Sequence, residues 1–254
     1  MRNVIFTDIL RAQKKKSLII CGIILAVITI GIALFIKLVP TFGENAGGYY
    51  ESLCAGAVNF FMPLLIGIPI FSTIYTDDFR SRSMQIAIGR GVSRTKMMLA
   101  RFLETLILLI ELHLVFSVIM VICGVIDGAD GAQIWGCIGN LWSGSIRMTV
   151  FMSLALLFVY WTQNPTTGLV FYIIFAASVL DTIFALVDMI PVLSENNIEI
   201  SKFFPGSACS QFVQAIADGD VLHSFTWGIG VIIGYIVLPI VISIQIFKRK
   251  ELEF

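Results

Sequence analysis

Charge is scarce in this sequence. Asp, Glu, Lys and Arg make up 13% of its 254 residues, against about a quarter in soluble domains. With 57% apolar residues and a mean hydropathy of +0.92, that scarcity excludes a soluble globular domain. Histidine is rarer still: His113 and His223 stand alone, so no imidazole cluster is available to a metal. The five cysteines, Cys21, Cys54, Cys123, Cys137 and Cys209, lack the spacing of zinc or redox motifs. No Gly-x-x-x-x-Gly-Lys-[Ser/Thr] phosphate loop occurs, so the chain is not expected to bind and hydrolyse ATP by itself. Gly-x-Ser-x-Gly and His-Glu-x-x-His are missing too, which removes the usual nucleophile or metal of an intramembrane enzyme. Alternation of apolar and polar residues is also wanting, and that excludes a transmembrane β-barrel.

Long uncharged runs are what the chain has instead. A helix needs about 20 apolar residues to cross a hydrocarbon core of ~30 Å. Six runs qualify, near 17–38, 54–76, 102–126, 141–161, 166–190 and 225–247. The fold class expected is an all-α integral membrane protein of six transmembrane helices. The formal net charge of zero hides an asymmetry between the loops. Arg2, Arg11, Lys14, Lys15 and Lys16 precede the first run; Arg80, Arg82, Arg90, Arg94, Lys96 and Arg101 separate the second and third; Lys248, Arg249 and Lys250 follow the last. The other loops are acidic, with Glu44, Glu51, Asp127, Asp130, Glu195, Glu199, Asp218 and Asp220. Basic loops stay in the cytoplasm. The expectation is a multi-pass cell-membrane protein with both termini cytoplasmic. The first run is longer than a signal-peptide core and is read as a span. Cys137 and Cys209 then face outside; a disulfide is open to them, and the reading favours unpaired thiols.

Residues 1–16 suit an interfacial helix, with Ile5, Phe6, Ile9 and Leu10 able to share one face; a topogenic signal alone is the other reading. Between the second and third spans, Asp77–Arg101 predicts two helices. Gly89-Arg90-Gly91 breaks the first, and Ser93 suits the N-cap of the second. The product is an inward-facing elbow. Gln163-Asn164-Pro165 predicts a tight hairpin, because proline disfavours helix at the residue before it. Arg147 is expected to snorkel to the outer interface. After Phe204-Pro205-Gly206, the spacing of Phe212, Val213 and Ile216 predicts a short extracellular helical insert before the last span.

At the elbow the sequence resembles the permease subunits of type-2 ABC exporters, including those of lantibiotic and peptide-antibiotic immunity systems. The residues that carry the resemblance are Asp78-Phe79-Arg80, Ser83-Met84, Ile86-Ala87-Ile88 and Gly91-Val92-Ser93-Arg94, with Asp78 where glutamate is usual and Arg82 where glycine is usual. The amino-terminal helix, six spans, outer insert and basic tail Phe247–Glu251 fit along most of the chain. The resemblance implies that 1–254 is a single exporter-type transmembrane domain and a non-catalytic permease subunit in a bacterial cell membrane. It implies a second permease copy or a related permease, two cytoplasmic ABC ATPase subunits that bind the ATP and Mg, contact with membrane lipids, and no nucleic acid. ATPase coupling would fall to Asp78, Phe79, Arg80, Arg82, Met84, Arg90, Gly91, Ser93 and Arg94. The cargo implied is a hydrophobic or amphipathic compound, an antimicrobial peptide above all. Topology and anionic-lipid binding are the other reading of the arginines; docking is favoured over it, because topology and lipid binding do not require a Gly-x-Gly break and a capped second helix.

Polar residues within the spans pose a separate question. Glu104, Glu111 and His113 lie on the third, Asp181 and Asp188 on the fifth. Glu104 and Asp188 sit near span ends, whereas Glu111 and Asp181 read as deeper. A mid-bilayer carboxylate costs about 2.5–3.5 kcal/mol even on insertion scales, so each must find a partner or a wet path. Glu104 and Glu111 share one helical face, as do Asp181 and Asp188. A substrate path or subunit contact and plain hydrogen bonding inside the bundle both remain open. An intramembrane enzyme, or a channel or scaffold without an ATPase, is the competing function.

Overall fold

A backbone crossing hydrocarbon must satisfy its own N–H and C=O groups, and helix is how a single segment does so. The computed structural model describes residues 9–38, 50, 54–80, 83–89, 91–190, 199–217 and 221–249. No strand occurs among them. The helices are α1 (Lys16–Leu38), α2 (54–80), α3 (Ser83–Gly89), α4 (Arg94–Asp127), α5 (Gly131–Thr162), α6 (Pro165–Ala176), α7 (Val179–Asp188), α8 (Pro205–Ala217) and α9 (221–249). Four of the described helices are long and apolar enough to span a membrane, or five if the α6–α7 pair, bent by 49°, is one crossing. Residues 9–13 are also helical, whereas 1–8 of the expected interfacial helix lie outside the described residues.

The second run departs from a regular α-helix for a chemical reason. Proline has no N–H, so the carbonyl four residues earlier loses its partner. Pro63, Pro69 and Pro239 deprive Asn59, Leu65 and Tyr235 in this way. Each of those carbonyls lies in a π-helical turn, at Ala57–Phe61, Pro63–Gly67 and Ile232–Val237 respectively. The Ser153 hydroxyl donates to the freed Tyr235 carbonyl.

Two compact units divide the chain, Met1–Tyr75 with Ala100–Ser145, and Thr76–Leu99 with Ile146–Phe254. In the first, helix continues to within three residues on either side of the turn at 128–130, where Gly128 takes a positive φ of 74°. The sequence reading left 127–140 as an outer loop; helix extends through 131–140 instead because that segment packs. A Cβ at Gly124 would stand 2.8 Å from Ile134, and one at Gly144 would stand 2.7 Å from Val58. The Tyr50 hydroxyl, pushed up to about 12 by burial, donates to the Met120 carbonyl at 3.0 Å. Tyr75 and Thr105 hydroxyls meet at 3.0 Å.

The cysteines correct the sequence reading. Cys137 is bonded to Cys54, with Cα atoms 5.9 Å apart. Cys209 stays a buried thiol that burial pushes up to about 12. Eighty-three residues separate the pair, and only the close approach of α2 and α5 reveals it.

In the second unit, the Asn164 carboxamide caps α6 through Thr166 N at 2.9 Å, with Pro165 in the first turn. The α6–α7 bend sits at Ser178, a serine at φ 52°. The predicted insert is α8, whose Phe212 ring lies so close to Gly228 that a Cβ there would meet it at 2.7 Å. Arg147 reaches the insert, donating to Ser210 Oγ at 3.1 Å.

The disulfide makes a direct prediction. Denatured without reductant, the purified chain should take up three maleimides, rising to five after reduction; five at the outset would refute the bond. Cys54→Ser should lower thermal stability, by about 2 kcal/mol at the low end of the usual range because the spans already restrict the unfolded chain.

Candidate functional site: the seated elbow

Three short signals build the elbow. Helix α3 ends at Gly89, and Gly91 adopts φ 89°, a region open to glycine, while its N–H donates to the Ile88 carbonyl at 2.9 Å. Ser93 then caps α4: its Oγ accepts from Lys96 N at 3.4 Å and its carbonyl from Met97 N at 3.0 Å. Met84, Met97 and Met98 turn inward and are buried.

The elbow is held by an aromatic ladder that ends on a cation. Phe79 lies 6.5 Å from Tyr160, and Tyr160 lies 4.8 Å from Phe247, centroid to centroid. All three are buried. Above the Phe247 ring, at 5.8 Å, sits the Arg94 guanidinium. It donates to the Phe247 carbonyl at 2.9 Å and the Lys248 carbonyl at 3.5 Å. Those carbonyls belong to the last described turn of α9, where a cation answers the negative end of the helix dipole. Arg94 therefore closes α9 and fastens the start of α4 to it. The outward face of the elbow keeps Ile86 54% and Val92 37% exposed, beside exposed Gly89, Gly91, Ser93 and Lys96.

Of the nine expected coupling residues, Phe79, Met84, Gly91, Ser93 and Arg94 are brought together here. The backbones of Asp78 and Arg80 belong to α2, and their side chains lie outside the described residues, as do Arg82 and Arg90 altogether. Tyr160 and Phe247 were missed by sequence reasoning. Nothing local marks them, because their role arises only when the ends of α5 and α9 meet the elbow.

The four acidic residues are dispersed. Glu104 pairs with Arg101 at 2.6 Å, one turn away, both buried. Glu111 accepts from Gln13 Nε2 at 2.7 Å. Gln13 immediately precedes the Lys14–Lys16 collar, so Glu111 meets the chain just before the start of α1. Asp181 accepts from Ser207 N at 2.8 Å and Ser207 Oγ at 3.0 Å, while Gly206 lies so close that a Cβ would stand 2.6 Å from the carboxylate. Asp188 accepts from Ile200 N at 2.8 Å and Ser201 N at 3.0 Å. One helix face thus caps both the 3-10 turn Ser201–Phe203 and α8. His113 Nδ1 donates to the Leu109 carbonyl, 2.7 Å away, and the ring faces Trp142. No group of three metal-binding side chains occurs among the described residues.

Comparison with known proteins gives one match. Residues 51–252 fit the model of a family described as a protein of unknown function (DUF2705). That range covers most of the chain, and the chain belongs to this family. No curated protein matches it.

Two substitutions probe this geometry. Arg94→Ala should cost about 1–2 kcal/mol by stripping the α9 carbonyls of their donor, and Arg94→Lys should recover part of it, lacking the planar fork. Thermal unfolding in detergent reads both; equal midpoints for all three proteins would break the assignment. Asp181→Ala should loosen α8 by about 1–2 kcal/mol and expose it to protease, whereas Asp181→Asn retains an acceptor and loses less. Protease resistance unchanged in Asp181→Ala would remove the capping role.

Proposed function

We propose that this family member is the membrane-embedded permease subunit of an ABC-type exporter, driven by separate cytoplasmic ATPases. The observation that carries the reading is the elbow itself: seated by Phe79, Tyr160, Phe247 and Arg94, yet presenting Ile86 and Val92 to solvent. A lever needs both properties. Its inner side must be fixed to the elements it moves, and its outer side must be free for a partner. Force applied at Ile86 and Val92 passes through the aromatic ladder to the ends of α5 and α9. Packed aromatic contacts transmit displacement because protein interiors are close-packed.

The topology proposed has six crossings, with 54–76 as the second, the α6–α7 pair as the fifth, and both termini inside. The disulfide supports that orientation from a separate direction. Disulfides persist in oxidising compartments, and Cys54 and Cys137 both fall on the outer side when the basic loops are inside. Under this reading two permeases, identical or related, stand over two nucleotide-binding subunits. The cargo is a hydrophobic or amphipathic compound such as an antimicrobial peptide. The reading as an intramembrane enzyme draws less support, since Asp181 and Asp188 are engaged as backbone caps and Glu104 is engaged by Arg101.

Ile86→Glu and Val92→Glu test the lever, since neither side chain belongs to the mount. Both variants should insert and unfold like the parent while retaining a nucleotide-binding subunit at least about tenfold less well in mild-detergent purification, equivalent to about 1.4 kcal/mol. Undiminished co-purification and ATP-driven transport in both would end the docking assignment. Transport by the chain in ATP-free liposomes would end the exporter reading altogether.

A further inference from the structure

A groove of about 370 Å³ runs between α1 and α4, lined on one wall by Leu18, Gly22 and Ala26 and on the other by Leu108, Val115 and Ile119. Its size falls in the range of about 300–1,000 Å³ usual for small-molecule sites. The small residues on α1 make the hollow: a Cβ placed on Gly22 would meet nothing within 4 Å. The polar groups in the lining are Gln13 and Glu111, together at one end. Glu111 receives its hydrogen bond from the neutral Gln13 amide, and among the described residues no cation is ion-paired with it in this largely apolar lining. A buried or half-buried charge is costly unless paired.

We infer that this groove binds a single-chain cationic amphipath, its apolar chain lying over Gly22 and its ammonium or guanidinium group on the Glu111 carboxylate. The shape and charge select for three features together. An apolar body is required by the walls, a slender one by the width between two helices, and a hydrogen-bonding cation by Glu111. An anionic headgroup meets the wrong sign, and a neutral one forgoes the charge-assisted bond. The end holding Glu111 adjoins the Lys14–Lys16 collar, where the headgroup of a molecule in the inner leaflet would lie. The inference assigns a class of compound to the proposed exporter, and its role in transport rests on that reading; the binding itself does not.

Photolabelling separates the two. The chain is placed in phosphatidylcholine nanodiscs without any ATPase and labelled with a diazirine-bearing dodecylamine, and labelled peptides are mapped. Label should concentrate in 18–26 and 108–119. Unlabelled dodecylamine should compete at least about tenfold better than dodecanol or dodecyl phosphate, the scale of one charge-assisted hydrogen bond. Glu111→Gln should abolish that preference while dodecanol competes as before. Gly22→Leu fills open space, so it should keep the unfolding midpoint and lose the label from both segments. Equal competition by the three chains, or label indifferent to Gly22→Leu, overturns the site. Competition that follows total phospholipid makes the groove a lipid seat and overturns it too. So does spontaneous Gly22→Cys cross-linking between two copies, which would make it an interface. Success here with failed ATPase co-purification would leave the binding site standing and the exporter reading fallen.

Discussion

Backbone hydrogen-bond satisfaction is the constraint from which the rest of this structure follows. Within hydrocarbon an unpaired carbonyl or N–H costs several kcal/mol, so every interruption of helix must be repaired from within the protein. Several polar side chains make such repairs. Pro239 frees the Tyr235 carbonyl, and Ser153 answers it. The chain turns back after α7, and Asp188 and Asp181 hold the N–H groups that the short turn and α8 leave open. In the last described turn of α9, Arg94 donates to the Phe247 and Lys248 carbonyls. Carboxylates and hydroxyls that look functional in a list of residues are here the joinery of a helical membrane protein.

The same accounting separates the acidic residues from one another. Asp181, Asp188 and Glu104 each face a complementary group: backbone donors for two, a guanidinium for the third. Glu111 has a carboxamide, which is an adequate hydrogen-bond donor but no countercharge. Seven-residue spacing put Glu104 and Glu111 on one face and invited a common role. Their surroundings assign them different ones. Arg101 is one turn from Glu104 and nearly three turns from Glu111, so a single local cation cannot serve both.

Much of the architecture was legible because its signals are local or compositional. The apolar runs, the Gly-x-Gly break, the Ser93 cap, the Asn164-Pro165 start and the insert after Pro205 all rest on residues close together in sequence, and each has its counterpart in the described structure. What was hidden depends on separation. Cys54 and Cys137 are 83 residues apart, and neither lies in a spacing that advertises a partner. Helix across 131–140 was obscured by Gly131, Gly136 and Gly139, which lower intrinsic propensity; packing of Ile134 against Gly124 overrides that weakness. Tyr160 and Phe247 look like ordinary span-end aromatics until the elbow folds against them. α4 begins ahead of the run read as the third span. Its 34 residues are about 51 Å long at 1.5 Å per residue, well beyond a ~30 Å core, so part of its length must lie outside.

That excess length bears on how an elbow could act at a distance. A helix that continues unbroken from Arg94 to Asp127 cannot absorb a displacement at its start within a hinge of its own, because Ser93 and Gly91 lie before its first turn. The break sits on the other side, between α3 and α4, where Gly91 takes a positive φ. Arg94 stands just beyond it and ties the start of α4 to α9. On the proposed reading, a partner that gripped Ile86 on α3 and Val92 after the turn would straddle that glycine. A glycine joint inside the contact face, with the aromatic mount beneath it, would then distinguish a transmitting elbow from a loop that only connects two helices.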